Sequence, residues 1–120
     1  MKKKLLITTL LLGSFFAALA YFADLNGKWS GTFNAPDGNQ YPLVYTMKVD
    51  GGTLTGILNA AGMDTPIDSG VVKGDEVSFS INAGGTTYSH KGKYYAAGDS
   101  IGLEVTYDGN KQHLSLKRAQ

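Results

Sequence analysis

Val49-Asp50-Gly51-Gly52-Thr53-Leu54, Val72-Lys73-Gly74-Asp75-Glu76-Val77 and Ala96-Ala97-Gly98-Asp99-Ser100-Ile101 share one plan. Each is a turn carrying Gly, Asp or both, and each leads into an alternating apolar/polar run. They begin at 49, 72 and 96, so they recur after 23 and 24 residues. That spacing fits two strands plus two turns, the rhythm of a β-meander. A regular antiparallel meander has two open edges to protect, and closing into a barrel is the commonest way to do so.

Working outward, the pattern predicts eight strands, at 28–34, 42–49, 53–59, 65–72, 76–82, 86–94, 100–107 and 112–118. One face of each collects the apolar residues. Trp29, Gly31 and Phe33 share a face in the first strand, and Leu43, Tyr45, Met47 and Val49 in the second. Leu54 and Leu58 follow in the third, and Val77, Phe79 and Ile81 in the fifth. Ile101, Leu103, Val105 and Tyr107 align in the seventh, Leu114 and Leu116 in the eighth. Strict period-2 alternation implies one buried and one wet face per strand. Pro66 lies near the start of the fourth and suggests an edge or a bulge there. No stretch after the leader sustains a 3.6-residue period. The fold class expected is therefore all-β, an eight-stranded up-and-down antiparallel barrel, with a β-sandwich of the same strands as the alternative. Glycines at 31, 56, 92 and 102 fall at similar places in their strands, where a barrel relieves crowding.

The first twenty residues read as an export signal, expected to be helical. Lys2, Lys3 and Lys4 form a positive start, an apolar run follows, and Ala18-Leu19-Ala20 is a small-x-small cleavage pattern. Cleavage is expected after Ala20, giving residues 1–20 as signal peptide and 21–120 as one barrel domain in the periplasm or outside the cell. The membrane is met only through that signal. The chain has no Cys, which excludes a disulfide and a lipid anchor on cysteine. Without the three signal lysines, 8 Lys and Arg face 10 Asp and Glu. Nothing in that balance suggests a nucleic-acid partner.

Reactive chemistry is scarce. Gly98-Asp99-Ser100-Ile101-Gly102 matches the Gly-x-Ser-x-Gly elbow of hydrolases, but it lies in a hairpin turn with no helix after it. His90 and His113 are the only imidazoles, and no cysteine joins them, so neither a metal site nor a cofactor is expected. The expectation is a protein that is not an enzyme. His90 shares parity with Tyr88 and Gly92, so an inward Tyr88 face would bring one titratable group into an apolar lumen. Trp29, Phe33, Tyr45, Phe79, Tyr88 and His90 are the residues expected to line a small-molecule site.

Gly27-Lys28-Trp29 opens the first strand, and Lys117-Arg118 ends the last. The chain resembles the calycin superfamily of lipocalins, fatty-acid-binding proteins and avidins, in which Gly-x-Trp opens strand one and a basic side chain from the last strand covers the indole. It is also similar to small lipocalin-like domains of secreted bacterial proteins, through Gly27-Lys28-Trp29-Ser30-Gly31, Gly74-Asp75, Gly98-Asp99 and Leu114-Ser115-Leu116-Lys117-Arg118. The resemblance covers nearly all of the chain after the leader. It implies a calycin-type barrel with Gly27, Trp29 and Arg118 as structural signature. Arg118 is the better cover for the indole because it shares parity with Leu114 and Leu116. The chain is much shorter than true lipocalins, and avidin's biotin-binding residues have no counterparts carried over. The function expected is a non-enzymatic lipocalin-like binding protein holding a small apolar ligand. The alternative is a protein-binding module, an inhibitor or accessory domain of the envelope or exterior, with a filled barrel and Tyr41, Tyr94 and Tyr95 exposed at strand ends.

Overall fold

Tight turns set the architecture. At Gly84-Gly85 and at Asp108-Gly109 both central residues have positive φ (58° and 81°; 47° and 77°). That is the twist a two-residue hairpin needs, and it reverses the chain within one residue pair. The computed structural model describes residues 24–119, so the expected signal peptide at 1–20 and its helix lie outside the described residues. The eight strands are Gly27–Asn34 (β1), Gln40–Asp50 (β2), Thr53–Ala60 (β3), Met63–Lys73 (β4), Glu76–Ala83 (β5), Thr86–Tyr95 (β6), Ser100–Tyr107 (β7) and Asn110–Arg118 (β8). Each pairs antiparallel with the next, and β8 returns antiparallel to β1. The sheet is a closed barrel, which overturns the sandwich alternative. Closure leaves little open strand edge to template aggregation among the described residues.

The three repeated turns are not equivalent. The first two are tight hairpin turns, but Ala96–Gly98 forms one turn of 3-10 helix, and Asp99 after it is left-handed at φ 45°. β4 also departs from regularity. Ile67 and Val72 are both buried although five residues apart, a separation that would put them on opposite faces of a regular strand. The register with β5 shifts between Asp68 and Val71, and Ser69 is left-handed at φ 53°. This bulge restores the inward face.

The interior is built as the alternation dictates. Leu43, Tyr45, Met47, Leu54, Leu58, Val77, Phe79, Ile81, Ile101, Leu103, Val105, Leu114 and Leu116 are buried in one cluster. Each such side chain is worth about 1.5–3 kcal/mol removed from water. Gly92 is needed where β6 meets β7, because a Cβ there would land on the Gly102 carbonyl.

Candidate functional site

The two ends of the barrel differ, and the difference locates the site. At one end Trp29 is fully buried. Its Nε1–H donates to the Leu25 carbonyl at 2.9 Å, and Leu25 is itself fully buried. Residues 24–26 therefore fold under this end and plug it. The Arg118 guanidinium lies over the indole, 4.4 Å from the ring centroid. Its Nη1 donates to the Asn26 carbonyl and its Nη2 to the Asp24 carbonyl, both at 2.8 Å. Its Nε donates to Asp99 Oδ2 at 2.7 Å. Asp99 Oδ1 accepts from the Tyr94 hydroxyl at 3.0 Å, and Tyr94 meets the indole edge-on at 6.0 Å. Gly27 stands under Arg118, with the guanidinium 3.4 Å from where its Cβ would be. The expected signature residues Gly27, Trp29 and Arg118 are thus together.

This cluster shifts its own ionisations. The hydrogen bond from Arg118 holds the Asp99 carboxyl below its ordinary value. Desolvation, and then the neighbouring Asp99, push the Tyr94 hydroxyl upward. The Asp99 hydrogen bond raises Arg118 further above its already high value. Tyr94, expected to be exposed, instead packs half-buried against the core.

The other end is open. A cavity of about 470 Å³ is lined by Phe33, Ala35, Pro36, Tyr41, Leu43, Tyr45, Leu58, Ala60, Met63, Thr65, Ile81, Ala83, Tyr88, His90, Val105 and Tyr107. The size lies within the range usual for small-molecule sites. Of the six residues expected to line a site, Phe33, Tyr45, Tyr88 and His90 do line this cavity. Trp29 does not: it is sealed into the closed end under Arg118 and Leu25. Phe79 sits behind the wall, stacked on His90 with ring centroids 4.4 Å apart and edge-on to Tyr45 at 5.8 Å.

The polar part of the wall is small and ordered. His90 is 4 % exposed, the one buried polar or charged residue among those described. Its Nδ1 is 3.0 Å from the Tyr88 carbonyl, which can only accept, so Nδ1 carries the proton. Nε2 then accepts from the Tyr45 hydroxyl at 2.9 Å. Burial lowers the His90 pKa to about 4, so the ring is neutral near pH 7. Burial also drives the Tyr45 hydroxyl far above its usual range. The pair is a neutral hydrogen-bonded unit near pH 7.

Sequence reasoning missed Leu25 and Asp99, and it placed Tyr107 on the inward face without counting it among the site residues. Leu25 lies in a lead with no alternation to mark it. Asp99 reads as a turn residue, and only the fold brings it to Arg118. The Gly-x-Ser-x-Gly stretch runs from the 3-10 turn into β7, with its Asp99 held by Arg118 and Tyr94. Among the described residues no group of three His, Cys, Asp or Glu gathers to hold a metal. No protein-family model matches the chain, and no curated protein or solved structure matches it either.

Proposed function

We propose that this chain is a calycin-like, exported and non-enzymatic binding protein that holds a small apolar ligand in the open end of its barrel. The observation that carries the reading is the cavity of about 470 Å³, walled mostly by aliphatic and aromatic side chains. Aromatic walls bury large areas of an apolar guest at little entropic cost, and few polar groups are needed to orient it. The arrangement at the sealed end, Arg118 over Trp29, supports the calycin likeness. Export and cleavage after Ala20 rest on the Lys2-Lys3-Lys4 start and the Ala18-Leu19-Ala20 pattern.

A second reading, a module that binds a protein through its rim, is favoured by one observation. Met63 is 72 % exposed and Tyr41 39 % exposed at the cavity mouth. One experiment separates the two. The naturally exported protein is purified under native conditions and its bound small molecules are identified by mass spectrometry, beside the Ala60→Trp variant. The indole fills the cavity from a wall position and leaves Met63 and Tyr41 in place. The carrier reading expects a bound apolar molecule in the parent and none in the variant. A parent that carries nothing, together with a protein partner retained by both forms, would overturn it.

A further inference from the structure

The cavity wall contains no lysine, arginine, aspartate or glutamate. His90, the wall residue whose charge could change near neutral pH, is neutral and has both ring nitrogens occupied by Tyr88 and Tyr45. A carboxylate, phosphate or ammonium group placed here would leave water and find no counter-charge, which is strongly unfavourable. The wall therefore selects against ions.

Tyr107 adds a positive requirement. Its Oη is the one buried side-chain polar atom without a hydrogen-bond partner among the described residues. The ring packs between Phe33 and Tyr88, with centroid distances of 5.7 and 5.0 Å. All three rings belong to the cavity wall. Buried hydroxyls are nearly always bonded, and an unbonded one is a standing cost that any suitable acceptor relieves. Because Tyr107 belongs to the cavity wall, a guest whose oxygen reaches this hydroxyl relieves that cost. The cavity equals about fifteen water volumes at about 30 Å³ each.

Resting on the carrier reading, we infer that the open end takes an uncharged, largely apolar molecule of about fifteen non-hydrogen atoms that offers one acceptor oxygen, as a ketone, ester or ether, to Tyr107 Oη. The test titrates the exported protein by calorimetry near neutral pH with naphthalene, acetylnaphthalene and naphthoate. The last two have the same size and differ in charge. Acetylnaphthalene binds about fivefold tighter than naphthalene, the worth of one hydrogen bond. Naphthoate binds at least about a hundredfold more weakly than acetylnaphthalene. Tyr107→Phe removes only a donor that has no partner, so the fold is kept. In that variant the advantage of acetylnaphthalene over naphthalene is lost. Naphthoate binding as tightly as the ketone, or a ketone advantage that survives Tyr107→Phe, would overturn the inference while leaving the carrier reading in place. If none of the three binds, the carrier reading falls and takes this inference with it.

Discussion

At the scale of single residues, His90 links the site to stability. Its folded pKa is about 4 against an ordinary 6.5, with desolvation as the main cause. Between those values the unfolded chain holds a proton that the folded chain refuses. Stability is therefore full above pH 6.5 and declines as pH falls toward 4, by about 2–3 kcal/mol at pH 4.5. Tyr45, its hydrogen-bond partner, titrates far above this window and adds nothing there. Asp99 acts in a separate window. Its carboxyl is held below 3.8, so its contribution is present above that value and is lost as pH falls through its folded pKa. Urea unfolding of the parent and of His90→Gln across pH 7 to 4.5 checks the assignment. The variant keeps an acceptor for Tyr45 and should lose the slope. A slope of the same size in His90→Gln would place its origin elsewhere. Parity alone suggested that His90 faces inward. The stack on Phe79 and the hydrogen bond to Tyr45 bring three different strands together, and no local pattern carries them.

At the scale of elements, alternation was legible wherever a strand is regular, and the limits of that legibility are physical. β2, β5, β7 and β8 bury most of the residues that period-2 reading assigns to the interior, with Val49 and Tyr107 half-buried, and β1 buries Trp29 with Gly31 and Phe33 half-buried, because one wet and one dry face leave a strand no other choice. β4 was harder to read because its bulge at 68–71 inserts a residue and reverses the parity halfway along. Pro66 hinted at an irregularity, but it pairs opposite Ile57 and the bulge lies beyond it. The strand glycines were legible as a pattern and different in cause. Gly92 permits β6 and β7 to approach so closely that any side chain would strike the Gly102 carbonyl backbone, whereas a Cβ at Gly102 would meet only the Tyr95 and His113 rings, at 3.3 and 3.7 Å. Backbone cannot yield as a ring can, so Gly92→Ala should cost at least about 2 kcal/mol and Gly102→Ala less than about 1 kcal/mol. Chemical-denaturation midpoints of the two variants check the order. Equal losses would mean that the close approach at Gly92 is not required.

At the scale of the whole molecule, the barrel has one sealed end, one open end and a thin seam between first and last strands. β1 and β8 pair only through Trp29 with Arg118 and Ser30 with Lys117 among the described residues, helped by the bond from Ala119 N–H to the Lys28 carbonyl at 2.8 Å. Every other junction is longer. The seam is held as much by Arg118 as by the ladder, because that side chain ties β8 to Asp24 and Asn26 before β1, to Asp99 before β7, and to the Trp29 ring. Lysine offers the same charge but neither the planar fork nor the flat face, so Arg118→Lys keeps the Asp99 partner at best and gives up two carbonyl bonds and the stack. The two carbonyl bonds, charge-assisted but exposed to water, contribute about 1 kcal/mol each and the cation–π contact about 0.5–1 kcal/mol, so the loss should be about 2–3 kcal/mol. Opening the plug should also let water reach the indole, moving Trp29 emission to longer wavelength and speeding hydrogen exchange at the amides of β1 and β8. The cavity lies at the other end, and Arg118 touches none of its wall, so ligand affinity measured well below the unfolding midpoint should change little. Stability and affinity falling together would mean that the two ends are coupled. Stability falling alone would mean that closure and binding are separate jobs of opposite ends, joined only by the strands that run between them.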